Sequence, residues 1–163
     1  MIDAIAREVY MLEILILNGP NLGQLGERQP EIYGDRGMND LPRMAARLIP
    51  GFAELVNLQF FQANGQGQLI DRLELARETG INGLVINAGA YTHTSLALAD
   101  CLAWINIPYV EVHLSNILAR SASRHKSLIA DNALGVVAGF GLMSYVLALQ
   151  AILVHTKIIL TEE

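Results

Sequence analysis

The chain contains little cysteine, little charge and no long uninterrupted apolar run. Its single cysteine, Cys101, excludes an internal disulfide and suits a reducing compartment, so we expect a cytoplasmic protein. Charged residues form 17% of the chain and the net charge is −5, which disfavours nucleic-acid binding because such proteins usually carry a basic stripe. The longest apolar stretch, Leu142 to Val154, contains Ser144 and Gln150 and is too short to span a membrane.

Residue patterns that hold metals and nucleotides are also scarce. No pair of histidines has the spacing of metal ligands on a helix, and one cysteine cannot provide a zinc site, so we expect no metal. Gly139-Phe-Gly141 lacks the third glycine and the downstream acidic residue of a dinucleotide-binding motif, and it is therefore weak support for one.

Length and hydrophobic pattern indicate one α/β domain. Strands are predicted at 13–17, 57–62, 83–86, 109–112 and 134–138, and helices from 41, at 66–78, at 95–104 and up to about 154. Asn39 or Asp40 is expected to cap the first helix and Pro50-Gly51 to end it. The alternation predicts a flavodoxin-like fold, with a five-stranded parallel sheet of order 2-1-3-4-5 and helices on both faces. We assign residues 1–12 to an amino-terminal extension, 13–155 to a single catalytic domain and 156–163 to a tail.

Polar residues follow directly on three of the apolar runs. They occur in Asn18-Gly-Pro-Asn21, in Asn87 to Ser95 and in Val110 to Asn116. If the runs are parallel strands, these polar groups emerge at one edge of one sheet, and ligands bind at the carboxyl edge of such sheets. The sequence therefore predicts an active site at this edge.

The fourth predicted strand places a carboxylate beside a histidine. Because side chains alternate along a strand, Tyr109, Glu111 and His113 share one face. A buried carboxylate needs a partner, and Glu111 is near enough to orient the imidazole of His113. An oriented histidine at the end of a strand is a candidate general acid or base, although a purely structural Glu–His pair remains the alternative.

The glycine- and proline-rich segment 26–34 carries an arginine and a tyrosine. A guanidinium beside Tyr33 in a closed site would lower the phenol's pKa from its usual ~10, and Arg28 would keep its own proton. From this segment alone, a loop aromatic and a solvated charge remain the simpler interpretation.

Further polar residues extend the candidate site. Asn21 and Asn87 follow different strands and can donate hydrogen bonds to a developing oxyanion, although asparagine also caps turns, the role we favour for Asn18. Backbone N–H groups in the turn at Ser115 can hold a carboxylate. The remaining candidates in this region are His93 and Arg124.

These segments resemble the type II 3-dehydroquinate dehydratases. The resemblance runs from about Glu13 to Ala151 and rests on three motifs in the family's order. The motifs are Asn18-Gly-Pro-Asn-Leu-x-x-Leu-Gly-x-Arg-x-Pro-x-Ile-Tyr-Gly34, Tyr91-Thr-His-Thr-Ser95 and Val110-Glu-Val-His-Leu-Ser-Asn116. The resemblance implies dehydration of 3-dehydroquinate to 3-dehydroshikimate through an enolate, without cofactor or Schiff base, by a dodecamer built from trimers.

The resemblance also implies a role for each site residue. Tyr33 would be the base that removes the proton next to the ketone, kept deprotonated by Arg28. Asn21 would help to stabilise the enolate, and His113, oriented by Glu111, would protonate the departing hydroxyl. The substrate's hydroxyls and carboxylate would be held by Asn87, His93, Arg124 and the backbone of Leu114 and Ser115.

The chain departs from the family pattern outside these groups. Asp100 matches a residue that, in the family, reaches the neighbouring subunit's site, but Ala99 stands where an arginine usually precedes it. Gln29 replaces a glutamate, and the residues around Arg124 diverge, with Leu128 near the place of a tyrosine. No proposed catalytic group is lost, so we expect these changes to affect subunit contacts, the loop and the rate.

Four other interpretations share part of these features. A Schiff-base dehydratase needs a buried lysine, yet Lys126 and Lys157 do not lie at strand ends. A flavin-binding electron carrier needs hydroxyls after the first strand, and residues 14–37 contain no serine or threonine. A receiver-type signalling domain needs aspartates at Asn18 and Asn87. A relative that binds a cyclic polyol acid without turnover remains the non-enzymatic alternative, and for an enzyme both the shikimate pathway to aromatic amino acids and quinate catabolism stay open.

Overall fold

A computed structural model of the chain describes residues 11–23 and 37–156. Its strands are β1 (Leu12–Asn18), β2 (Val56–Gln62), β3 (Gly83–Asn87), β4 (Tyr109–His113) and β5 (Gly135–Ala138). They form one parallel sheet in the order β2-β1-β3-β4-β5, which confirms the predicted flavodoxin-like topology. Each strand begins and ends within one residue of its predicted position.

Helices connect the strands and cover both faces of the sheet. They are α1 (Leu41–Leu48), α2 (Phe52–Leu55), α3 (Gln66–Glu78), α4 (Tyr91–Thr94), α5 (Leu96–Ile105) and α6 (Met143–His155). Short 3-10 turns occur at Met38–Asp40, Ile117–Ala119, Ala122–Arg124 and Ala130–Asn132. Three of these elements are single turns that follow β3 or β4 in the chain, namely α4 and the turns at Ile117–Ala119 and Ala122–Arg124.

Alternating side chains divide the sheet between two apolar cores. Ile14 and Ile16 of β1 point into a core with α1 and α6, whereas Leu15 and Leu17 point into a core with α3 and α5. Burial on both faces leaves no place for the polar side chains of a half-exposed strand, which is why residues 14–17 of β1 form a continuous apolar run. In β4, Val110 and Val112 join the first core and Tyr109 joins the second, so the predicted alternation along this strand is confirmed.

The strand register brings three strand ends to one level. Asn18, the last residue of β1, pairs with Gln62 of β2 on one side and with Asn87 of β3 on the other. All strands are parallel, so their carboxyl ends lie at the same edge, and the polar residues that follow them meet there.

The predictions made from the sequence for the ends of the helices are only partly confirmed. Asp40 precedes α1, but its side chain makes no capping bond; its carboxylate accepts a hydrogen bond of 2.8 Å from Arg43 instead. The predicted break at Pro50-Gly51 is confirmed, because Gly51 has φ +70°, a left-handed conformation that glycine adopts easily. The short helix α2 that follows was not predicted. Ser95 caps α5 by accepting a hydrogen bond of 2.9 Å from the N–H of Leu98.

Candidate active site

A cavity of about 280 Å³ opens at the carboxyl edge of the sheet, next to the ends of β1, β3 and β4. Its wall contains residues that the sequence predicted for the site, namely Asn21, Asn87, His93, His113, Leu114, Ser115 and Arg124. Arg120 adds a second guanidinium, and no Asp or Glu lines the cavity among the described residues. A concave site with two cationic side chains and several hydrogen-bonding groups suits a small anionic polar ligand.

His113 and Glu111 form the most closely defined contact of the site. Nε2 of His113 lies 2.6 Å from Oε1 of Glu111, and both side chains are buried. A carboxylate can only accept, so Nε2 carries the hydrogen of this bond and Nδ1 is the other nitrogen of the ring. The pair therefore has the geometry of an imidazole oriented by a carboxylate behind it, with the ring at the cavity wall.

The second histidine of the site is held differently. The ring of His93, on α4, lies nearly parallel to that of His113, with 6.2 Å between ring centroids and 12° between the planes. Nδ1 of His93 lies 2.8 Å from the backbone carbonyl oxygen of Lys126, and since that oxygen accepts, Nδ1 carries a hydrogen. In the neutral ring, Nε2 of His93 is then an acceptor for a donor such as a substrate hydroxyl.

Asn87 is fixed by a buried network that the sequence did not predict. Its Nδ2 donates a hydrogen bond of 3.0 Å to the hydroxyl of Tyr145 on α6, and its Oδ1 accepts one of 3.3 Å from the N–H of Gly89. The Tyr145 hydroxyl donates in turn to Oδ1 of Asn18, at 2.7 Å. Asn18 is thus a buried partner of a helix residue at a strand end, and our interpretation of it as a turn cap was wrong.

Asn21 lies in the turn that follows β1. Its φ of +67° is left-handed, and its N–H donates a hydrogen bond of 3.1 Å to the side chain of Asn64. Asparagine tolerates this conformation better than most residues do, which explains its presence at this position. The turn is anchored to its neighbours because the N–H of Gly19 donates to the carbonyl of Asn87 at 2.8 Å.

The remaining wall comes from the segment that follows β4. Leu114 is buried, Ser115 is half-buried, and the carbonyl of Leu114 accepts a hydrogen bond of 2.8 Å from the N–H of Gly141. The short turns beyond them present Arg120 and Arg124, which are exposed, at the mouth of the cavity.

Some predicted residues lie apart from the cavity wall. Glu111 is behind His113, and Asp100 lies on the exposed side of α5, where it faces no part of the cavity. Arg28 and Tyr33, predicted as catalytic residues of the loop, lie outside the described residues.

The part of the chain that the structure describes has neither a cluster of metal-binding side chains nor a membrane-spanning helix. Residues 11–23 and 37–156 contain no group of three or more His, Cys, Asp or Glu side chains that could hold a metal ion. Within the same ranges, every helix is too short or too polar to span a lipid bilayer.

The structure adds three residues to the site that sequence reasoning missed: Arg120, Ser127 and Tyr145. Ser127 donates a hydrogen bond of 2.7 Å to Oε2 of Glu111, the carboxylate oxygen that His113 does not contact. Tyr145 could have been suspected, since a phenol in an apolar helix usually finds a buried partner. Nothing in the sequence around Ser127 distinguishes it from the nearby Ser121 and Ser123.

Comparison with known proteins agrees with this geometry. The family model described as "Dehydroquinase class II" matches residues 12–153. A 3-dehydroquinate dehydratase from Prochlorococcus marinus (strain NATL1A) is 48% identical over 146 residues, which is 90% of this chain and 99% of that protein. One from Teredinibacter turnerae is 50% identical over 141 residues, which is 86% of this chain and 90% of that protein.

Solved structures give the same result. The type II dehydroquinase from Butyrivibrio crossotus DSM 2876 has a TM-score of 0.78 at 36% identity, covering 87% of this chain and 97% of that one. The type II dehydroquinase from Propionibacterium acnes has a TM-score of 0.75 at 36% identity, covering 86% and 97%. The chain belongs to the class II dehydroquinase family.

Proposed function

We propose that the protein is a hydro-lyase that dehydrates 3-dehydroquinate to 3-dehydroshikimate without a cofactor or a Schiff base. The observation that carries this proposal is the buried Glu111–His113 pair at the cavity wall, in a chain whose relatives bear the name 3-dehydroquinate dehydratase. The pair supplies an oriented acid beside a cavity lined with cationic and hydrogen-bonding groups. Elimination of water from a hydroxy ketone needs such an acid, and the cationic groups suit the carboxylate that this substrate carries.

The first chemical step is removal of a proton from the carbon next to the substrate's ketone. We assign the base to Tyr33 as phenolate, with the Arg28 guanidinium beside it to favour the charged form. The C–H electron pair forms a double bond to the ketone carbon, the carbonyl π electrons move onto the oxygen to give an enolate, and Tyr33 becomes a neutral phenol. Asn21, at the cavity wall, supports the negative oxygen through its carboxamide, directly or through water.

The second step expels the hydroxyl group on the neighbouring carbon. The enolate electrons form the new C=C bond while the C–O bond breaks, and His113 gives its proton to the leaving oxygen, so that water departs. His113 becomes neutral beside the Glu111 carboxylate. The proton taken up by Tyr33 must return to His113, through solvent, before the next turnover, and the overall reaction then balances as substrate giving enone and water.

Binding of the substrate uses the rest of the wall. Asn87 and His93 present fixed hydrogen-bonding groups for the ring hydroxyls. The backbone of Leu114 and Ser115, with Arg124 at the mouth, provides the place for the carboxylate.

We also propose that the protein works as a homo-oligomer in the cytoplasm, as a dodecamer built from trimers, with Asp100 contributing to a neighbouring subunit's site. The exposed position of Asp100 on α5 makes it accessible to a partner subunit. The reaction serves either aromatic amino acid biosynthesis or quinate breakdown. Light scattering checks the assembly, and a fully active monomer would exclude the role of Asp100.

The activity is tested by following the absorbance of the conjugated enone when the protein is mixed with 3-dehydroquinate in excess chelator. We expect turnover that chelator does not reduce, and its near-complete loss in His113→Ala. His155→Ala is the matched control, because His155 is exposed at the end of α6, away from the cavity. Tight binding of the substrate without enone formation would instead identify a binding protein and refute the proposal.

A further inference from the structure

One short segment, residues 126–130, holds both histidines of the site. The carbonyl of Lys126 accepts the hydrogen bond from Nδ1 of His93, and the hydroxyl of Ser127 reaches Glu111, which orients His113. The segment is itself fixed to the domain. The N–H of Leu128 donates to the carbonyl of Thr92 at 2.8 Å, and the phenol of Tyr109 donates to the carbonyl of Ile129.

The direction of the Ser127 hydrogen bond is determined by its surroundings. The N–H groups of Ile129 and Ala130 both donate to the Ser127 hydroxyl oxygen, at 3.2 and 3.0 Å. With its acceptor positions used in this way, the hydroxyl points its own hydrogen at Oε2 of Glu111, 2.7 Å away. Two donors at the oxygen also polarise the O–H group, which makes it a better donor.

The Glu111 carboxylate depends on this contact because it is fully buried. Oε1 bonds to His113 and Oε2 bonds to Ser127, so each oxygen has a donor. A hydrogen bond to the charged form of a buried carboxylate favours that form over the neutral acid. Without the Ser127 hydroxyl, Oε2 loses this donor and the charged carboxylate is stabilised less. The Glu111–His113 pair then binds a proton more readily.

We propose that Ser127 is a positioning residue for the dehydration chemistry: its hydroxyl fixes the Glu111 carboxylate and thereby sets how tightly His113 holds the proton that it donates. The catalytic role of Ser127 rests on the proposed function, whereas the hydrogen bond from Ser127 to Glu111 does not. It assigns a role to a segment that departs from the family pattern and that no motif in the sequence marks.

Other ionisable groups lie around the Glu111–His113 pair. His93 stacks on His113 from α4, and Arg120 and Arg124 line the same cavity. On the other side, Tyr109 shares the face of β4 with Glu111, and Asp131 lies near Tyr109. Replacement of Ser127 alters none of these side chains, but it also removes the acceptor of the Ile129 and Ala130 N–H groups. The titration of His93, which the Lys126 carbonyl holds, is therefore followed beside that of His113 to detect movement of the segment.

The direct test is the titration of His113 in protein labelled with ¹³C in the histidine rings. The chain has 4 histidines, and His113→Ala assigns the resonance. In Ser127→Ala we expect the midpoint of His113 to move to higher pH than in the wild type, because the Glu111 carboxylate beside it loses a hydrogen-bond donor. Ser127→Thr, which keeps the hydroxyl, should restore the midpoint, and Ser123→Ala, an exposed serine of the same region, should leave it unchanged.

The kinetic test uses the same variants. Ser127→Ala should lower kcat about ten-fold or more with little change in KM, and the alkaline limb of the kcat profile should move upward in pH with the His113 midpoint. If Ser127→Ala does not fold, Ser127→Cys keeps the size with a weak donor and gives the same comparison.

The two proposals fail in different ways. If the wild type does not dehydrate 3-dehydroquinate, the proposed function fails, while the titration still tests the contact. A His113 midpoint that is unchanged in Ser127→Ala, or equal in the alanine and threonine variants, overturns the role of Ser127 whatever the activity.

Discussion

Tyr145 donates a hydrogen bond of 2.7 Å to the side-chain oxygen of Asn18, a residue 127 positions earlier in the chain. Both are fully or almost fully buried, and Asn87 donates to the same phenol from the end of β3. Burial raises the pKa of the Tyr145 phenol, which keeps it protonated and able to donate. Helix α6 thus fixes two strand ends at the edge of the cavity, and it leaves the carboxamide of Asn87 in a defined orientation there.

Tyr145→Phe should lower the free energy of unfolding by about 2 kcal/mol, because it leaves an oxygen of Asn18 and a nitrogen of Asn87 buried without this partner. Urea unfolding measures the change. The same variant should raise KM more than it lowers kcat, since Asn87 is proposed to contact substrate before and during reaction. Tyr91→Phe is the control: its hydroxyl bonds to the carbonyl of Asn64 at an exposed position, so its cost should be under about 1 kcal/mol. Equal losses in the two variants contradict the prediction.

Stability should fall at alkaline pH because of two buried phenols. Burial raises the pKa of Tyr145, and burial together with the nearby charges of Glu111 and Asp131 raises that of Tyr109. In the unfolded chain these phenols titrate near ~10, so above that pH the folded state holds more protons than the unfolded state does. The stabilisation is therefore complete below pH ~10 and is lost as the pH rises further, by at most about 1.4 kcal/mol per unit for each phenol.

Urea unfolding at a series of pH values from about 8 to 11 checks this slope. Tyr145→Phe lacks one of the two phenols, so its stability should depend less steeply on pH than that of the wild type. A stability that stays level above pH ~10, or an equal slope in the variant, contradicts the role of burial.

The fold was predictable from the sequence because its signals are local and agree with each other. The runs 14–17 of β1 and 84–86 of β3 are buried and apolar throughout, and each leads into an asparagine and a polar turn. Helix α3 was placed without error because apolar residues recur on one of its sides. By contrast, α2 and α4 have four residues each and no periodicity to read, and their form depends on the parts of the domain against which they pack.

The site was predictable only where a residue belongs to a motif or ends a strand. Alternation along β4 placed Glu111 and His113 together, and the contact between them agrees with that expectation. Tyr145 and Ser127 meet their partners across distances in sequence that no short pattern records, 58 residues to Asn87 in one case and 16 to Glu111 in the other. Such contacts follow from the packing of whole elements, which sequence periodicity does not describe.

Gly19→Ala should be strongly destabilising, by about 3 kcal/mol, because a Cβ at this position would collide with the backbone carbonyl of Ala88. Backbone atoms cannot yield as a flexible side chain can, so the turn after β1 would have to move away from β3 and lose its bond to Asn87.

Gly67→Ala is the matched control, since nothing lies within 4 Å of a Cβ there and Gly67 is exposed in α3. It should be stabilising by about 0.5–1 kcal/mol, as expected for alanine in a helix. Thermal or urea unfolding of the two variants measures both changes in stability. Similar changes in the two variants would refute the close approach at Gly19.

Arg28→Ala should move the acid limb of the kcat profile, on which activity rises as the base loses its proton, to higher pH. Without the guanidinium, the phenol of Tyr33 is expected to titrate nearer its free value of ~10. Arg28→Lys should restore little, because an ammonium on a flexible stem does not reproduce the planar guanidinium. Measuring kcat from about pH 6 to 10 in both variants tests the pairing, and an acid limb that does not move in Arg28→Ala counts against it.

Tyr33→Phe gives the sharpest test of the proposed base. The change removes the proton-accepting oxygen and leaves the proposed contacts of Asn87, Ser115 and Arg124 in place, so kcat should fall by about 10²–10⁴-fold while ligand affinity is kept. Calorimetry with the product, which carries the same carboxylate, should give a Kd within a few-fold of the wild-type value. Tyr91→Phe, which also replaces a tyrosine but away from the cavity wall, serves as the control for activity. If Tyr33→Phe retains substantial turnover, the phenolate is not the base, and His113, whose ring lies at the cavity wall, becomes the candidate for that role.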